Sequence, residues 1–119
     1  MSKTGKVWGT TETVIATPLF EMHRLSIKPM HRCSLHMHRR KWNAFLVTKG
    51  RLFIDVVKTD YPLIDTTELG PGDVMAAPPG EHHRFRTGPE GCEGFEMYYP
   101  EALSEDIDRK DHGGPVEAE

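Results

Sequence analysis

Two stretches of the chain decide its fold: CSLHMH at residues 33–38 and GDVMAAPPGEHH at residues 72–83. Polar and apolar residues alternate in the first, so a β-strand there would point His36 and His38 to the same face. Two imidazoles at this spacing can share a metal ion, although exposed polar residues on a strand's wet face would give the same alternation. The companion feature is His83, which follows a Pro-Pro-Gly turn in the second stretch.

The rest of the middle of the chain consists of short apolar or alternating runs separated by glycine and proline. Predicted strands cover residues 13–15, 20–28, 33–38, 44–48, 51–57, 74–77, 83–87 and 95–99. Lys49-Gly50 predicts a hairpin between two of these strands. A short helical turn is expected at residues 103–109, followed by a polar tail at 111–119. So many short strands predict an all-β protein, an antiparallel β-barrel or jelly roll.

Length and composition predict a single domain over residues 1–119, because a chain of this size buries one core. The net charge of −3 argues against a nucleic-acid partner, which requires a basic face. No apolar run approaches the roughly 20 residues of a membrane span, and no signal peptide is expected. Cys33 and Cys92 do not make a disulfide framework, so we expect a cytoplasmic protein.

The first stretch resembles the first motif of the cupin superfamily. That motif runs from a glycine through H-x-H and a glutamate to a second glycine. Residues 30–50 follow its spacing, with His36 and His38 as the histidine pair. They depart from it at two positions, since Met30 replaces the opening glycine and Asn43 replaces the glutamate.

The second stretch resembles the second cupin motif, which runs from a glycine through P-x-G to a histidine. Residues 72–87 match it with His83, and Thr87 stands where asparagine is common. The two motifs together imply a small barrel that holds one divalent metal ion in its mouth. The resemblance assigns His36, His38 and His83 as the metal ligands.

A narrower resemblance is to type II mannose-6-phosphate isomerases and the C-terminal module of mannose-1-phosphate guanylyltransferases. KVWG at residues 6–9 resembles K-P-W-G, and IKPMHRCSLHMH at 27–38 resembles I-K-P-G-x-R-x-S-L-Q-x-H. SEDIDRKDHGG at 104–114 is similar to a closing segment of the form G-E-D-D-I-V-R-x-E-D-x-Y-G-R. The likeness covers nearly the whole chain and implies a small-molecule substrate, a sugar phosphate.

His36 and Asn43 stand where this subfamily has glutamine and a ligand glutamate. Three imidazoles and an amide are neutral, so a bound divalent ion would keep a charge of about +2 instead of about +1. Such an ion is held less tightly but is a stronger Lewis acid and attracts an anion. The ligand set suits Zn, Mn, Ni, Co or Fe. Asn43 either coordinates the ion through its amide oxygen or forms a hydrogen bond to one of the ligands.

Charged residues in or near the two motifs are candidates for substrate binding and proton transfer. A substrate phosphate would be bound by Arg32, Lys41 and Arg84. Alternatively, these cations belong to a solvated strand edge. By position Glu81 is the first candidate for the catalytic base, and Glu96 is a weaker one.

The leading hypothesis is a metal-dependent isomerase that moves a proton between neighbouring carbons through an enediol. The alternatives are a three-histidine Fe(II) dioxygenase and a non-catalytic cupin that binds a sugar or another small molecule. A homodimer is also expected, because Cys33, Leu35 and Met37 would form an apolar row on the strand face away from the ligands.

Overall fold

The computed structural model describes residues 3–58, 63–100, 110 and 112–116. Within these ranges the chain forms β-strands and no helix, and therefore has no helix long and apolar enough to cross a membrane. The predicted helical turn at 103–109 lies outside the described residues. The strands are β1 (Lys3–Lys6), β2 (Gly9–Thr17), β3 (Phe20–Ile27), β4 (Trp42–Gly50), β5 (Leu52–Val57), β6 (Ile64–Leu69), β7 (Val74–Ala77), β8 (His82–Arg86) and β9 (Cys92–Tyr99).

The strands form two sheets that face each other. The larger sheet has the order β1-β2-β3-β9-β4-β7, and the smaller one has the order β6-β5-β8. The paired strands run antiparallel in both sheets. The prediction of an all-β, antiparallel jelly roll is therefore confirmed.

The core is made of apolar side chains that alternate along the strands and point between the sheets. Its buried members are Leu25, Ile27, Phe45, Val47, Leu52, Ile54, Val56, Leu69, Phe85 and Cys92. Each large apolar side chain buried in this way contributes about 1.5–3 kcal/mol to stability. This packing fixes β4 and β8, the two strands that carry candidate ligands.

The predicted hairpin at Lys49-Gly50 is wrong, because β4 and β5 belong to different sheets. The chain crosses from one sheet to the other at Arg51, whose backbone N–H donates to the carbonyl oxygen of Gly91 at 3.2 Å. Gly50 has a φ of 82°, and an added Cβ would overlap that carbonyl group. A glycine is thus required by this corner between the sheets, where the sequence suggests a tight turn within one sheet.

The segment 31–38, of which residues 33–38 were predicted to be a strand, runs along the outer edge of β8 as irregular backbone. It pairs at two isolated bridges, Arg32 with Arg86 and His36 with His83. In the second bridge the backbone N–H groups and carbonyls of the two histidines exchange hydrogen bonds of 3.0 and 2.8 Å. Antiparallel pairing therefore sets one predicted ligand directly opposite another.

The apolar row that suggested a dimer is divided in the structure. Cys33 packs against the core, and its Sγ accepts the backbone N–H of Phe85 at 3.2 Å. Leu35 is exposed and Met37 is half-buried. Because the three side chains do not share one open face, the homodimer stays a prediction without the row on which it was based.

Candidate metal centre

Three histidines from two distant parts of the sequence meet at the inner side of β8. One nitrogen from each of His36, His38 and His83 lies within 4.8 Å of the other two. The ring centroids are 4.9 Å apart for His36 and His38, 4.7 Å for His36 and His83, and 5.4 Å for His38 and His83. The structure thus brings together the three residues that the cupin resemblance assigns as ligands.

The other hydrogen bonds of the rings leave nitrogen atoms free to bind a metal. Nδ1 of His36 donates to the carbonyl oxygen of Ser34 at 2.8 Å, which directs the lone pair to Nε2. Nε2 of His38 is buried and has no hydrogen-bond partner among the described residues. A buried nitrogen without a partner is costly, and a metal ion in the cluster would provide one.

Asn43 is the fourth member of the cluster and is fully buried on β4. Its Nδ2 donates to Oε2 of Glu96 at 3.2 Å and to the carbonyl oxygen of Met97 at 3.4 Å. These two bonds fix the amide so that Oδ1 faces the histidines. Oδ1 lies 2.9 Å from Nε2 of His83.

The two ring nitrogens of His83 both face oxygen atoms. Nδ1 lies 3.2 Å from the carbonyl oxygen of Glu81, and Nε2 lies 2.9 Å from Oδ1 of Asn43. A neutral imidazole has one N–H, and if it donates to Glu81 then Nε2 and Oδ1 direct lone pairs toward the same region. Two ligand atoms that each lie about 2.1 Å from an ion, at right angles to each other, are separated by about the distance observed between Nε2 and Oδ1. The arrangement therefore fits a cation held by both atoms.

Burial keeps His38 and His83 in the protonation state that binds metal. The pKa of His38 is lowered from 6.5 to about 4, first by burial and then by the neighbouring charges of His36 and Lys41. Burial also lowers the pKa of His83, although its hydrogen bond to Glu81 opposes the shift. Both rings are neutral near pH 7, and only neutral imidazoles coordinate. The residues present thus fit one divalent ion, with nitrogen and oxygen donors that suit several metals.

Glu96 is a buried carboxyl group next to the cluster, on β9. It accepts a hydrogen bond from Asn43 and is also hydrogen-bonded to the Tyr98 hydroxyl. Burial raises the pKa of Glu96, whereas the bonds from Tyr98 and Asn43 oppose this rise. A carboxyl group shifted in this direction can exchange a proton closer to neutral pH than an exposed one.

Glu81, the first candidate for the base, is engaged elsewhere. Its Oε2 lies 3.2 Å from Nζ of Lys58, so the carboxylate forms an ion pair at the end of the small sheet. Glu81 lines neither of the two cavities that adjoin the histidines. The structure gives the weaker candidate, Glu96, the better position for proton transfer.

Two of the three predicted substrate-binding cations do not reach the cluster. Arg84 points to the opposite side of β8 from His83, and its Nε lies 2.9 Å from Oδ2 of Asp55. Arg86 binds the same carboxylate oxygen at 2.9 Å. Arg32 is exposed beside Arg86 on this outer edge. Alternation along β8 thus separates Arg84 from the ligand that precedes it.

Two cavities adjoin the histidines, and Tyr98 lines both. The inner cavity, of about 290 Å³, lies between the sheets and is lined by His36, Glu96 and His23. The outer cavity, of about 600 Å³, is lined by His38 and by the three basic residues at positions 39–41. Lys41 is therefore the one predicted substrate-binding cation that the structure places beside the cluster.

Sequence reasoning missed three residues around these cavities. His23 lines the inner cavity between Thr13 and Glu21, each 3.2 Å from one of its ring nitrogens. Arg39 and Arg40 line the outer cavity. The run of three basic residues that ends with Lys41 is a sequence signal for this cationic wall, whereas nothing around His23 distinguishes it from a surface histidine.

Solved structures with a similar fold include KdgF from Halomonas sp., with a TM-score of 0.71, 16% identity, and coverage of 86% of this chain and 90% of that one. CapF from Staphylococcus aureus has a TM-score of 0.74 and 20% identity, covering 87% of this chain and 31% of that one. A Bacillus subtilis oxalate decarboxylase variant has a TM-score of 0.74 and 18% identity, covering 87% and 28%. This chain thus spans less than a third of the latter two proteins. At these identities the likeness concerns the fold alone.

No curated protein matches the sequence. A family model described as Cupin domain matches residues 23–97, which make up more than half of the chain. The matched region contains the three histidines of the candidate metal centre, Asn43 and both motifs. Together with the antiparallel jelly roll, this match shows that the chain belongs to the cupin family.

Proposed function

We propose that this cupin is a metal-dependent isomerase of the mannose-6-phosphate isomerase type. One divalent ion would be held by His36, His38 and His83, with the amide oxygen of Asn43 as a fourth ligand. The observation that carries the proposal is the position of Glu96, whose buried carboxyl group lines the same cavity as His36. A metal cluster and an acid–base group that share one cavity are the two parts that this reaction requires.

The chemistry consists of moving a proton from one carbon of the substrate to its neighbour. The ion, when bound, supplies a Lewis acid that polarises the substrate carbonyl. The Glu96 carboxylate takes the proton from the carbon next to the carbonyl and returns it to the former carbonyl carbon. The hydroxyl proton on the first carbon's oxygen passes to the former carbonyl oxygen, so that the carbonyl and hydroxyl groups exchange places. Tyr98 and Asn43 hold the carboxylate in place through their hydrogen bonds. Its raised pKa supports both halves of this transfer.

Glu96 also favours the isomerase over a three-histidine Fe(II) dioxygenase. A dioxygenase would share the neutral ligand set, but its reaction with O2 does not require a buried carboxyl group hydrogen-bonded to a ligand. A non-catalytic binding cupin would likewise have no use for an acid–base group in its cavity. The hydrogen bond between Asn43 and Glu96 is thus the feature that supports the isomerase over the other two hypotheses.

The test follows proton transfer directly. Metal-free protein is loaded separately with Zn, Mn, Ni, Co or Fe(II) and incubated without O2 with fructose 6-phosphate in deuterated water. NMR should show mannose 6-phosphate carrying deuterium at the carbon next to the aldehyde. His83→Ala and chelator should abolish the reaction. Glu96→Gln should abolish it while metal binding is retained, and the matched change Glu81→Gln should leave most of the activity.

Two results would overturn the proposal. The first is a protein that binds metal normally but, with each of the five metals, gives no product and incorporates no deuterium. That result would favour the non-catalytic binding cupin. The second is turnover that requires both Fe(II) and O2, which identifies a dioxygenase. Retained deuterium exchange in Glu96→Gln would leave the reaction class in place but reject Glu96 as the base.

A further inference from the structure

We propose that the outer cavity binds the charged group of a small organic anion, a carboxylate or a phosphate ester, through Arg39, Arg40 and Lys41. The body of the ligand would lie on the apolar wall of this cavity and extend toward His38. The inference rests on the proposed function, since it takes this anion to be the substrate of the same metal centre. It assigns the anion site to residues 39–41 in place of Arg32 and Arg84.

The charges around the outer cavity are unbalanced. Three consecutive cations line it, and Glu21 is the one carboxylate among its described lining residues. Glu21 is already 3.2 Å from Nε2 of His23. Within the described ranges, none of the cations at 39–41 forms an ion pair with a carboxylate. Adjacent like charges repel each other, and an anion in the cavity would relieve that repulsion.

Four other cations within the described ranges are held by carboxylates and are therefore not open to a ligand. Arg24 binds Glu12 at 2.8 Å, and Lys58 binds Glu81 at 3.2 Å. Arg84 and Arg86 share the buried carboxylate of Asp55. The cations at 39–41 have no such carboxylate partner among the described residues, so their charge can be offered to a ligand.

Lys41 connects the basic run to the metal cluster. Its Nζ lies 3.9 Å from the ring centroid of Tyr98, in cation–π contact. The Tyr98 ring is in turn 5.2 Å from the ring of His38, centroid to centroid. The ammonium group is thus held near the cluster, where a bound ion would add positive charge of its own. An anion gripped by Lys41 can have its neighbouring atoms close to His38.

The remaining wall of the cavity suits an organic body. Leu19, Phe20 and Tyr99 line it together with the cations. The Tyr99 ring is stacked on that of Trp42, with an interplanar angle of 4° and centroids 6.4 Å apart. This contact stabilises the position of Tyr99 in the cavity wall. Aromatic and apolar surfaces bind carbon frameworks, including sugar rings, and a cavity of about 600 Å³ accommodates a small molecule.

The test measures binding to the metal-free protein by NMR titration with three probes: phenyl phosphate, benzoate and the neutral benzyl alcohol. The two anions should shift the amide signals of residues 37–42, and benzyl alcohol should bind at least tenfold more weakly. Anion affinity should fall as salt is raised, because exposed charges are screened. Comparing the two anions shows whether the site prefers phosphate or carboxylate.

Lys41→Gln and Arg40→Gln should each weaken anion binding by about fivefold or more, since each removes one of the charges facing the anion. The matched control is Lys49→Gln. It also replaces a lysine with glutamine, but at a position about 26 Å from Lys41 along the extended chain. It should leave anion affinity unchanged. Equal binding of benzyl alcohol and the anions would overturn the inference, as would unchanged anion affinity in the Lys41→Gln, Arg40→Gln double variant.

Zinc titration of the same variants separates this inference from the proposed function. If the double variant loses anion binding while its zinc affinity is not weakened, both the anion site and the metal centre are supported. If zinc does not bind the wild-type protein but anions do, the metal proposal fails and the anion site is retained. If zinc binds and the anions do not, only the anion inference fails.

Discussion

The amide oxygen of Asn43 lies 2.9 Å from Nε2 of His83, while the amide nitrogen of the same side chain donates to Glu96. One fully buried residue therefore joins the candidate ligands to the candidate acid–base group. Cupins commonly have a glutamate at this position, and here the carboxyl group is supplied by β9 instead. The negative charge is thus displaced from the ligand position to a neighbouring residue.

Replacing Asn43 with alanine should weaken zinc or cobalt binding by about 10- to 100-fold, the range found when a supporting or weak ligand is removed. The change removes Oδ1 and also the donor that orients Glu96. Isothermal titration of metal into metal-free protein measures the effect.

Asn43→Asp is the informative partner of this variant. It keeps an oxygen toward His83 but sets a second carboxyl group beside Glu96, so one of the two must retain a proton. We expect metal affinity to be restored at least to the wild-type level. If Asn43→Ala binds metal as tightly as the wild-type protein, the amide lies outside the coordination shell.

The motif spacing in the sequence was sufficient to predict the jelly roll and the meeting of three histidines. Strand β7 was predicted with its observed bounds, because a short apolar run lies between two turns. Strands β1 and β6 were missed, since nearly all their side chains are exposed and they show no apolar alternation. Edge strands of this kind are held by backbone hydrogen bonds, which leave no pattern in the side chains.

The parts of the site that depend on long-range pairing could not be predicted. Glu96 faces Asn43 because β4 and β9 are neighbours in the larger sheet, although these strands are distant in sequence. Arg84 was expected near the ligands, but Asp55 on β5 binds it on the other side of the small sheet. The alternation of side chains along a strand predicts that Arg84 and His83 face opposite sides of β8. Only the pairing of the strands shows on which of those sides the histidines meet.

The metal-free protein should lose stability as the pH falls from about 6.5 to 4, in part through His38. Its pKa is about 4 in the folded protein and 6.5 ordinarily, so the unfolded chain takes up a proton that the folded protein does not. The contribution is present above pH 6.5 and is lost progressively below it. Urea unfolding at pH 7 and pH 5 measures the change.

His38→Gln should reduce this loss between pH 7 and pH 5 by about 1 kcal/mol, less than a full shift would give because the ring is partly solvated. Changing the exposed His82 to Gln provides the control and should leave the pH dependence nearly as in the wild-type protein. An identical pH dependence in His38→Gln would show that the ring titrates normally in the folded state.

Asp55 should be a major electrostatic contributor to stability, although it lies away from the cluster. Burial would raise its pKa, but hydrogen bonds from Arg86, Arg84 and Thr66 outweigh burial and lower it. Asp55→Asn should therefore reduce the free energy of unfolding at pH 7 by about 2 kcal/mol, since it removes a buried charge that two guanidinium groups share. The difference from the wild-type protein should shrink as acid protonates Asp55 itself.

The matched control for Asp55 is Glu68→Gln, a change at an exposed carboxylate on the adjacent strand β6. It should alter the unfolding free energy by no more than about 0.5 kcal/mol. Urea unfolding of both variants at pH 7 gives the comparison. Equal effects would mean that burial of the Asp55 ion pairs adds nothing to stability.

Gly94 should tolerate no side chain, because β9 approaches β4 closely at this point. Its register partners are Leu25 on β3 and Val47 on β4, and an added Cβ would overlap the carbonyl oxygen of Leu46. The obstacle is backbone in the middle of the larger sheet, which cannot move without disturbing the β4–β9 pairing. Gly94→Ala should therefore reduce the free energy of unfolding by about 1–3 kcal/mol.

Gly88→Ala is the comparison that isolates this steric effect. The nearest atom to an added Cβ at Gly88 is Cε2 of Phe53 at 3.7 Å, an ordinary van der Waals contact. Alanine also restricts the unfolded chain more than glycine does, so Gly88→Ala should be neutral or stabilising by up to about 1 kcal/mol. Because β9 pairs with β4 at Asn43, the proposed fourth ligand, Gly94→Ala should weaken zinc binding as well, and Gly88→Ala should not. Equal stability of the two variants in urea would mean that the larger sheet can open at Gly94 without cost, and would contradict the close packing of β4 on β9 that positions Asn43 against Glu96.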